Sequence, residues 1–164
     1  MAADRFDIEA RLPANTNGRQ GGAMLQALLV DRFQLKFHRE TRQMPIYALI
    51  VGKSGPKMTP ARDADGTMIR GTGAGQMEFQ KTSMQSLAQN LAGNMDRLVL
   101  DRTGLTGEFN FKLEWNPDLT AANADLGRPT IFTAVQEQLG LRLESERGPV
   151  EILVIDGAAR PPAN

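Results

Sequence analysis

Few side chains in this sequence could carry out hydrolysis, and a single histidine limits the arrangements that are open. His38 is the only histidine of the 164 residues, and the chain has no cysteine. A serine nucleophile activated by a histidine would therefore have to use His38. The serines considered as nucleophile are Ser54, Ser83, Ser86 and Ser145. Asp101 would be the carboxylate, and His38, Ser54 and Asp101 form the candidate set for an ester or lactone hydrolase. A lone histidine on a strand is more often an exposed surface residue.

An acidic loop offers the one pattern that is close to a metal site. The segment "RDADGT", residues 62–67, resembles a calcium loop. An EF-hand loop needs acidic ligands at positions one, three and five and a glutamate at position twelve. In this chain position one would be Ala61 and position twelve would be Thr72, so the match fails at both ends. An Asx turn at Asp65 is the favoured interpretation. Asp63 and Asp65 are kept as candidates for a divalent cation such as calcium, and no other cofactor is predicted.

Two further motifs fail on spacing. The segment "VGKSG", residues 51–55, follows an apolar stretch as a phosphate-binding loop would, but it lacks the earlier glycine that the loop requires. Pro56 also stands where a nucleophile elbow needs glycine. The sequence therefore predicts an ordinary turn at this point.

The charge balance argues against nucleic acid as a partner. Lys and Arg total 19, Asp and Glu total 19, and the formal net charge is zero. Neutral chains lack the general attraction to phosphate that nucleic-acid binding uses. No run reaches the roughly 18 apolar residues of a membrane span, so no transmembrane segment is predicted.

The helices and strands that would position the candidate site residues can be predicted from hydrophobic periodicity. The predicted helices cover residues 23–33, a segment after a cap at Thr82 or Ser83, and residues 130–139. The predicted strands cover residues 5–12, 35–41, 45–52, 76–80, 98–100, 108–115, 141–144 and 150–155, with a short edge strand at 67–70. Residues 53–75 are rich in glycine, proline and small polar residues and are predicted to form a long flexible loop.

The order helix, strand, connector, strand occurs three times, and two copies follow a further strand. Such (β)αββ units predict one compact α+β domain over residues 1–164, mainly antiparallel, with helices on one face of the sheet. The sub-units would be residues 5–52, 76–116 and 130–156. In this scheme "DRTGLTG", residues 101–107, is a connector between strands, and the alternating run after it places Phe109, Phe111, Leu113 and Trp115 in the core.

Three stretches together carry a family resemblance: "MLQALLVDRFQLKFHRETRQMPIYALIVGKSGPKM", "LVLDRTGLTGEFNFKLEW" and "GLRLESERGPVEILVIDG". The chain resembles, from about residue 5 to residue 161, a soil-associated uncharacterised family expanded in acidobacterial, Solibacter-type genomes. The resemblance implies an extracytoplasmic place, periplasmic or secreted, with the signal peptide absent from this sequence. It supplies no catalytic residues. The repeated units are also similar to the short N-terminal domains of secretins and TonB-dependent transducers.

These observations favour a non-enzymatic binding or protein-interaction module of the bacterial envelope. Its partner would be another protein or a second copy, joined through exposed strand edges. The ester or lactone hydrolase, with or without a divalent ion, is the alternative hypothesis.

Overall fold

The computed structural model of the chain describes residues 7–16, 18–117 and 127–161. The described residues form three helices and seven strands, and the fold is α+β, as the sequence predicts. The helices are α1 (Gly18–Phe33), α2 (Met84–Ala92) and α3 (Ile131–Leu139). The strands are β1 (Lys36–Val51), β2 (Thr59–Pro60), β3 (Met68–Gly73), β4 (Gln76–Thr82), β5 (Val99–Asp101), β6 (Phe109–Glu114) and β7 (Leu141–Gly157).

The strands form two sheets. One sheet has the order β5-β1-β7, and the other has the order β2-β6-β4-β3. In the second sheet β2 pairs with β6, β6 with β4 and β4 with β3, all antiparallel, whereas β1 and β5 are parallel. In the first sheet, Gln43 contacts Arg147 and His38 contacts Asp156, so residue numbers fall along β7 as they rise along β1. The pairing of β1 with β7 is therefore antiparallel. The apolar half of β1 lies between β5 and β7, so it is the central strand of this sheet, as predicted.

The two longest strands correct the predicted repeat. Residues 35–41 and 45–52 were expected as a hairpin, but β1 runs through "RETRQM" without a break, and β7 runs through "ESERG" in the same way. The hairpin predictions at both places are wrong. Polar residues resemble a connector in the sequence, yet two long strands that pair with each other can expose them on open faces. Only "DRTGLTG" joins two strands as expected, and it links β5 of one sheet to β6 of the other.

The chain divides into two compact units, residues 1–42 with 151–164 and residues 43–150. We call them the first and second units. Both β1 and β7 begin in one unit and end in the other. Of the described residues, every buried one lies in the second unit.

The second unit has a continuous hydrophobic core. Side chains from α2, α3 and both sheets form it, including Leu49, Leu87, Leu113, Val135 and Leu141, all at most 1% exposed. The predicted core face after "DRTGLTG" is confirmed: Leu113 and Trp115 are buried, and Phe109 and Phe111 pack against the core.

Residues 53–75 are more ordered than predicted. They contain β2, which pairs with β6, and β3, which pairs with β4 over the predicted edge strand at 67–70. Met58 also enters the core at 9% exposure. Glycine-rich composition indicated a loop, but strand pairing with distant residues cannot be deduced from composition.

The predicted strand at 5–12 is wrong over residues 7–12, which have no regular structure. Arg5 and Phe6 lie outside the described residues. The alternation of Ile8 with charged residues is present, but alternation forms a strand only where a partner strand accepts its hydrogen bonds.

Candidate functional site

The first unit contains a two-stranded ribbon, formed by residues 36–42 of β1 and 151–157 of β7. We call it the ribbon. Helix α1 precedes its first strand and belongs to the same unit. The backbone N–H of Ala159 donates to the carbonyl oxygen of Phe33, which links the chain after β7 to the end of α1.

Charged side chains pair across the ribbon. Nδ1 of His38 lies 2.9 Å from Oδ1 and 3.0 Å from Oδ2 of Asp156. Arg39 forms an ion pair with Glu151. The hydrogen bond from Asp156, together with its negative charge, raises the pKa of His38 above the ordinary value of 6.5. Both carboxylates of residues 151–157 therefore have a basic partner on β1.

The same unit exposes most of the large apolar side chains that the described chain presents to solvent. Seven of the eleven such residues belong to it. They are Ile8, Leu12, Met24, Leu25, Val30, Leu153 and Ile155. We call these seven residues the apolar set. The predicted apolar stripe of α1 is only partly covered, since Leu28, Leu29 and Phe33 are half-buried while Met24 and Leu25 are exposed.

The end of β7 is apolar on both faces. Because side chains alternate along a strand, Leu153 and Ile155 project from one face, and Ile152 and Val154 project from the other. Ile152 and Val154 are half-buried, whereas Leu153 is 48% and Ile155 is 63% exposed. Strands with two apolar faces are typical of sheet interiors rather than of sheet edges.

β7 is nevertheless an edge strand. It is the last strand in the order β5-β1-β7, and no described strand pairs with its outer side. β5 pairs with β1 only at Tyr47, Ala48 and Leu49, in the second unit. Within the described chain, both outer sides of the ribbon therefore carry backbone groups without a strand partner, and such edges invite another strand.

The hydrolase candidates are distributed over different units. His38 belongs to the first unit, where its partner is Asp156, and Ser54 and Asp101 belong to the second unit. Ser54 lies in the exposed turn after β1. Oδ1 of Asp101 accepts hydrogen bonds from the backbone N–H and the hydroxyl of Thr103, at 2.9 and 2.8 Å. Asp101 therefore caps the turn at the start of the connector.

A surface cleft of about 400 Å³ lies beside Asp101, between α2 and β5. Its polar lining consists of the side chains of Gln85, Gln89, Asp101 and Arg102. Arg102 donates its backbone N–H to Leu49 at 2.9 Å, and its side chain is exposed. A cleft with one carboxylate already engaged in a turn offers little that could activate a nucleophile.

Of the two acidic candidates for a metal, Asp65 has protein partners for its carboxylate. Oδ2 of Asp65 accepts the backbone N–H of Arg62 at 2.9 Å and the side-chain amide of Asn110 at 2.7 Å, and these hydrogen bonds lower the pKa of Asp65. The backbone carbonyl of Asp63 accepts a hydrogen bond from Nζ of Lys81. Among the residues that the structure describes, no three His, Asp or Glu side chains are grouped to hold a metal ion. Calcium binding at Asp63 and Asp65 stays a prediction.

Sequence reasoning missed Asp156 as the partner of His38. The two residues are 118 positions apart, and their contact depends on the pairing of β1 with β7. The one signal in the sequence was the segment "EILVI", residues 151–155, because a strand that is apolar on both faces is expected to pair with another part of the chain.

Comparison with known proteins gives one family. Residues 1–158 match the family described as "Protein of unknown function (DUF3738)". No curated protein and no solved structure matches the chain. In the described part of the chain, no helix is both long enough and apolar enough to cross a membrane.

Proposed function

The chain belongs to the DUF3738 family of proteins of unknown function, and on that premise we propose that it is a non-enzymatic protein-interaction module. The binding surface is the ribbon of the first unit. One observation carries the proposal: none of the described residues of this unit is buried, yet it exposes the apolar set, of which Leu153 and Ile155 lie on the ribbon.

The energetics of that surface favour a bound state. Fully burying a leucine or isoleucine side chain is worth about 1.5–3 kcal/mol, so covering a half-exposed one contributes roughly 1 kcal/mol. Leu153 and Ile155 together therefore offer roughly 2 kcal/mol to a partner that covers them. Backbone hydrogen bonds to the outer side of β7 would add to this and would fix the direction of the partner strand.

We place the module outside the cytoplasm, in the periplasm or as a secreted protein of the envelope. This proposal is supported by the resemblance to the soil-associated, acidobacterial family. The likeness to secretin and TonB-type domains points to the same location. It rests on the αββ order, and it is weakened because β1 and β7 are each one continuous strand where a hairpin was predicted. Osmotic-shock fractionation of the source cells tests it: recovery of the protein in the shock fluid or the culture medium supports the proposal, and recovery only in the lysate of the shocked cells contradicts it.

Site-specific photocrosslinking in the source cells tests the interaction surface. A photoreactive amino acid replaces Leu153 in one variant and Leu98 in the control. The two leucines are 48% and 47% exposed, and Leu98 belongs to the second unit. We expect a discrete protein adduct from position 153 and none from position 98. No adduct at position 153, or the same adducts at both positions, would refute the interaction surface.

An ester or lactone hydrolase is the second candidate, and the pair of His38 with Asp156 is the observation that favours it. A histidine that acts as a general base is held in orientation by a carboxylate at Nδ1, and Asp156 lies 2.9 Å from Nδ1 of His38. A panel of chromogenic esters and lactones, with and without EDTA, tests this candidate. Activity that His38→Ala removes would support it, and activity unchanged in that variant would exclude His38 from the chemistry.

A further inference from the structure

We infer that the ribbon's partner is a second copy of this chain, which pairs edge to edge through residues 151–157 of β7. The inference rests on the proposed function, because it identifies the occupant of the same surface. In the resulting dimer, the two ribbons join into one four-stranded sheet of order β1-β7-β7-β1. The contact is a two-fold symmetric one, in which the same edge is used by both copies.

The side chains of this edge match a copy of themselves. We take antiparallel pairing about a two-fold axis at Val154, so that Val154 lies opposite Val154 of the other copy. Residues at equal distances before and after Val154 in the sequence then lie opposite each other. Leu153 of each copy then lies opposite Ile155 of the other. This register joins the two exposed large apolar side chains of β7 to each other on one face. Glu151 lies opposite Gly157 at the end of the same face, where it is paired with Arg39 of its own chain, and Asp156 lies opposite Ile152 on the other face.

The charges of the edge also permit self-association. Glu151 is paired with Arg39, and Asp156 is paired with His38, so each carboxylate of the segment is compensated within its own chain. The whole chain has zero formal net charge, and two copies therefore approach without long-range repulsion. A strongly charged partner would find no complementary charge on residues 151–157, whereas an identical, internally compensated edge needs none.

The size of the contact predicts a reversible dimer. Seven residues of antiparallel strand extend about 24 Å. An edge of this length buries less than the roughly 800 Å² per partner of a standard stable interface. We therefore expect a monomer–dimer equilibrium with a dissociation constant in the micromolar range.

Sedimentation equilibrium of the purified chain over a hundredfold range of concentration tests the inference. The expected result is a concentration-dependent dimer in the unmodified chain. Leu153→Lys is expected to shift the dissociation constant at least tenfold, because lysine at a strand edge opposes pairing. Leu98→Lys, with the same substitution at equal exposure in the second unit, is expected to leave the constant unchanged. A monomer at all concentrations, or equal effects of the two variants, would overturn the inference.

Single cysteines test the register, since the chain has none of its own. Under mild oxidation, Val154→Cys is expected to form a disulfide-linked dimer, and Leu153→Cys or Ile155→Cys is expected to form far less. Cβ atoms of opposite residues lie about 4.5–5.5 Å apart, while diagonal neighbours are about 7–8 Å apart. Equal yields at the three positions would overturn the assigned pairing.

These results separate the inference from the proposed function. A monomer in solution whose position 153 crosslinks in cells to a different protein contradicts self-pairing and leaves the interaction module intact. A monomer without any adduct at position 153 contradicts both.

Discussion

At the scale of single residues, the pair of His38 and Asp156 is the clearest electrostatic feature of the first unit. The carboxylate accepts a hydrogen bond from the imidazolium form and attracts its charge, so the protonated state is favoured in the folded chain. Because the folded pKa is raised, the stabilisation is fully present below the unfolded value near 6.5 and is lost as the pH rises through the folded pKa. The pair is largely exposed, so solvent screens much of this stabilisation.

Proton NMR titration of His38 checks this interaction, and the single histidine gives one set of imidazole resonances. We expect a pKa above 6.5 in the unmodified chain and a value close to 6.5 in Asp156→Asn. Glu151→Gln is the control, since it removes the other carboxylate of the ribbon segment without removing the partner of His38. An unshifted pKa in the unmodified chain would show that the pair does not form in solution.

At the scale of elements, local signals in the sequence determine where helices begin and end. The hydroxyls of Ser83 and Thr130 accept backbone N–H bonds from the first turns of α2 and α3, as capping residues do. Gly140 ends α3 with φ +68, in the left-handed region that favours glycine. A Cβ added to Gly140 would lie 1.9 Å from the carbonyl oxygen of Gly55, so packing also requires glycine there.

Gly140→Ala and Gly104→Ala together separate backbone strain from the steric clash. Gly104 has φ +67, and a Cβ there meets no atom within 4 Å. We expect Gly104→Ala to cost roughly 1–2 kcal/mol, which is the price of a left-handed conformation for alanine. Gly140→Ala should cost clearly more, because the Gly55 carbonyl must also move. Urea denaturation measures both values, and equal losses would mean that the chain relaxes around Cβ of residue 140 without cost.

At the scale of the whole molecule, stability is unevenly distributed. The second unit holds the core, and the first unit has no buried residue among those described. Burial of apolar side chains is the main source of stability, and regions with few buried contacts open at low free energy. Strand β1 crosses from one unit to the other, so its two halves report on the two units within one element.

Native-state hydrogen exchange tests this distribution along β1. We expect slow amide exchange at residues 46–51 and much faster exchange at residues 36–42 in dilute protein. If β7 edges pair, protection at residues 151–157 should rise with protein concentration. Uniform protection along β1 would show that the first unit is as stable as the second, and it would remove the physical reason for a partner.

Local signals in the sequence were enough to predict α2 and α3 with their caps, the central apolar strand, and the core face from Phe109 to Trp115. It also indicated the α+β class and an uncharacterised family. Long-range strand pairing, which local signals do not predict, places "RETRQM" and "ESERG" inside strands, brings His38 to Asp156, and adds strands from residues 53–75 to a sheet. Helix caps and hydrophobic periodicity depend on residues a few positions apart, whereas strand pairing depends on which distant segments come together in the folded chain. Because β7 pairs, among the described strands, only with β1 and forms the edge of its sheet, Leu153 and Ile155 are exposed, and the proposed function rests on the surface that they form.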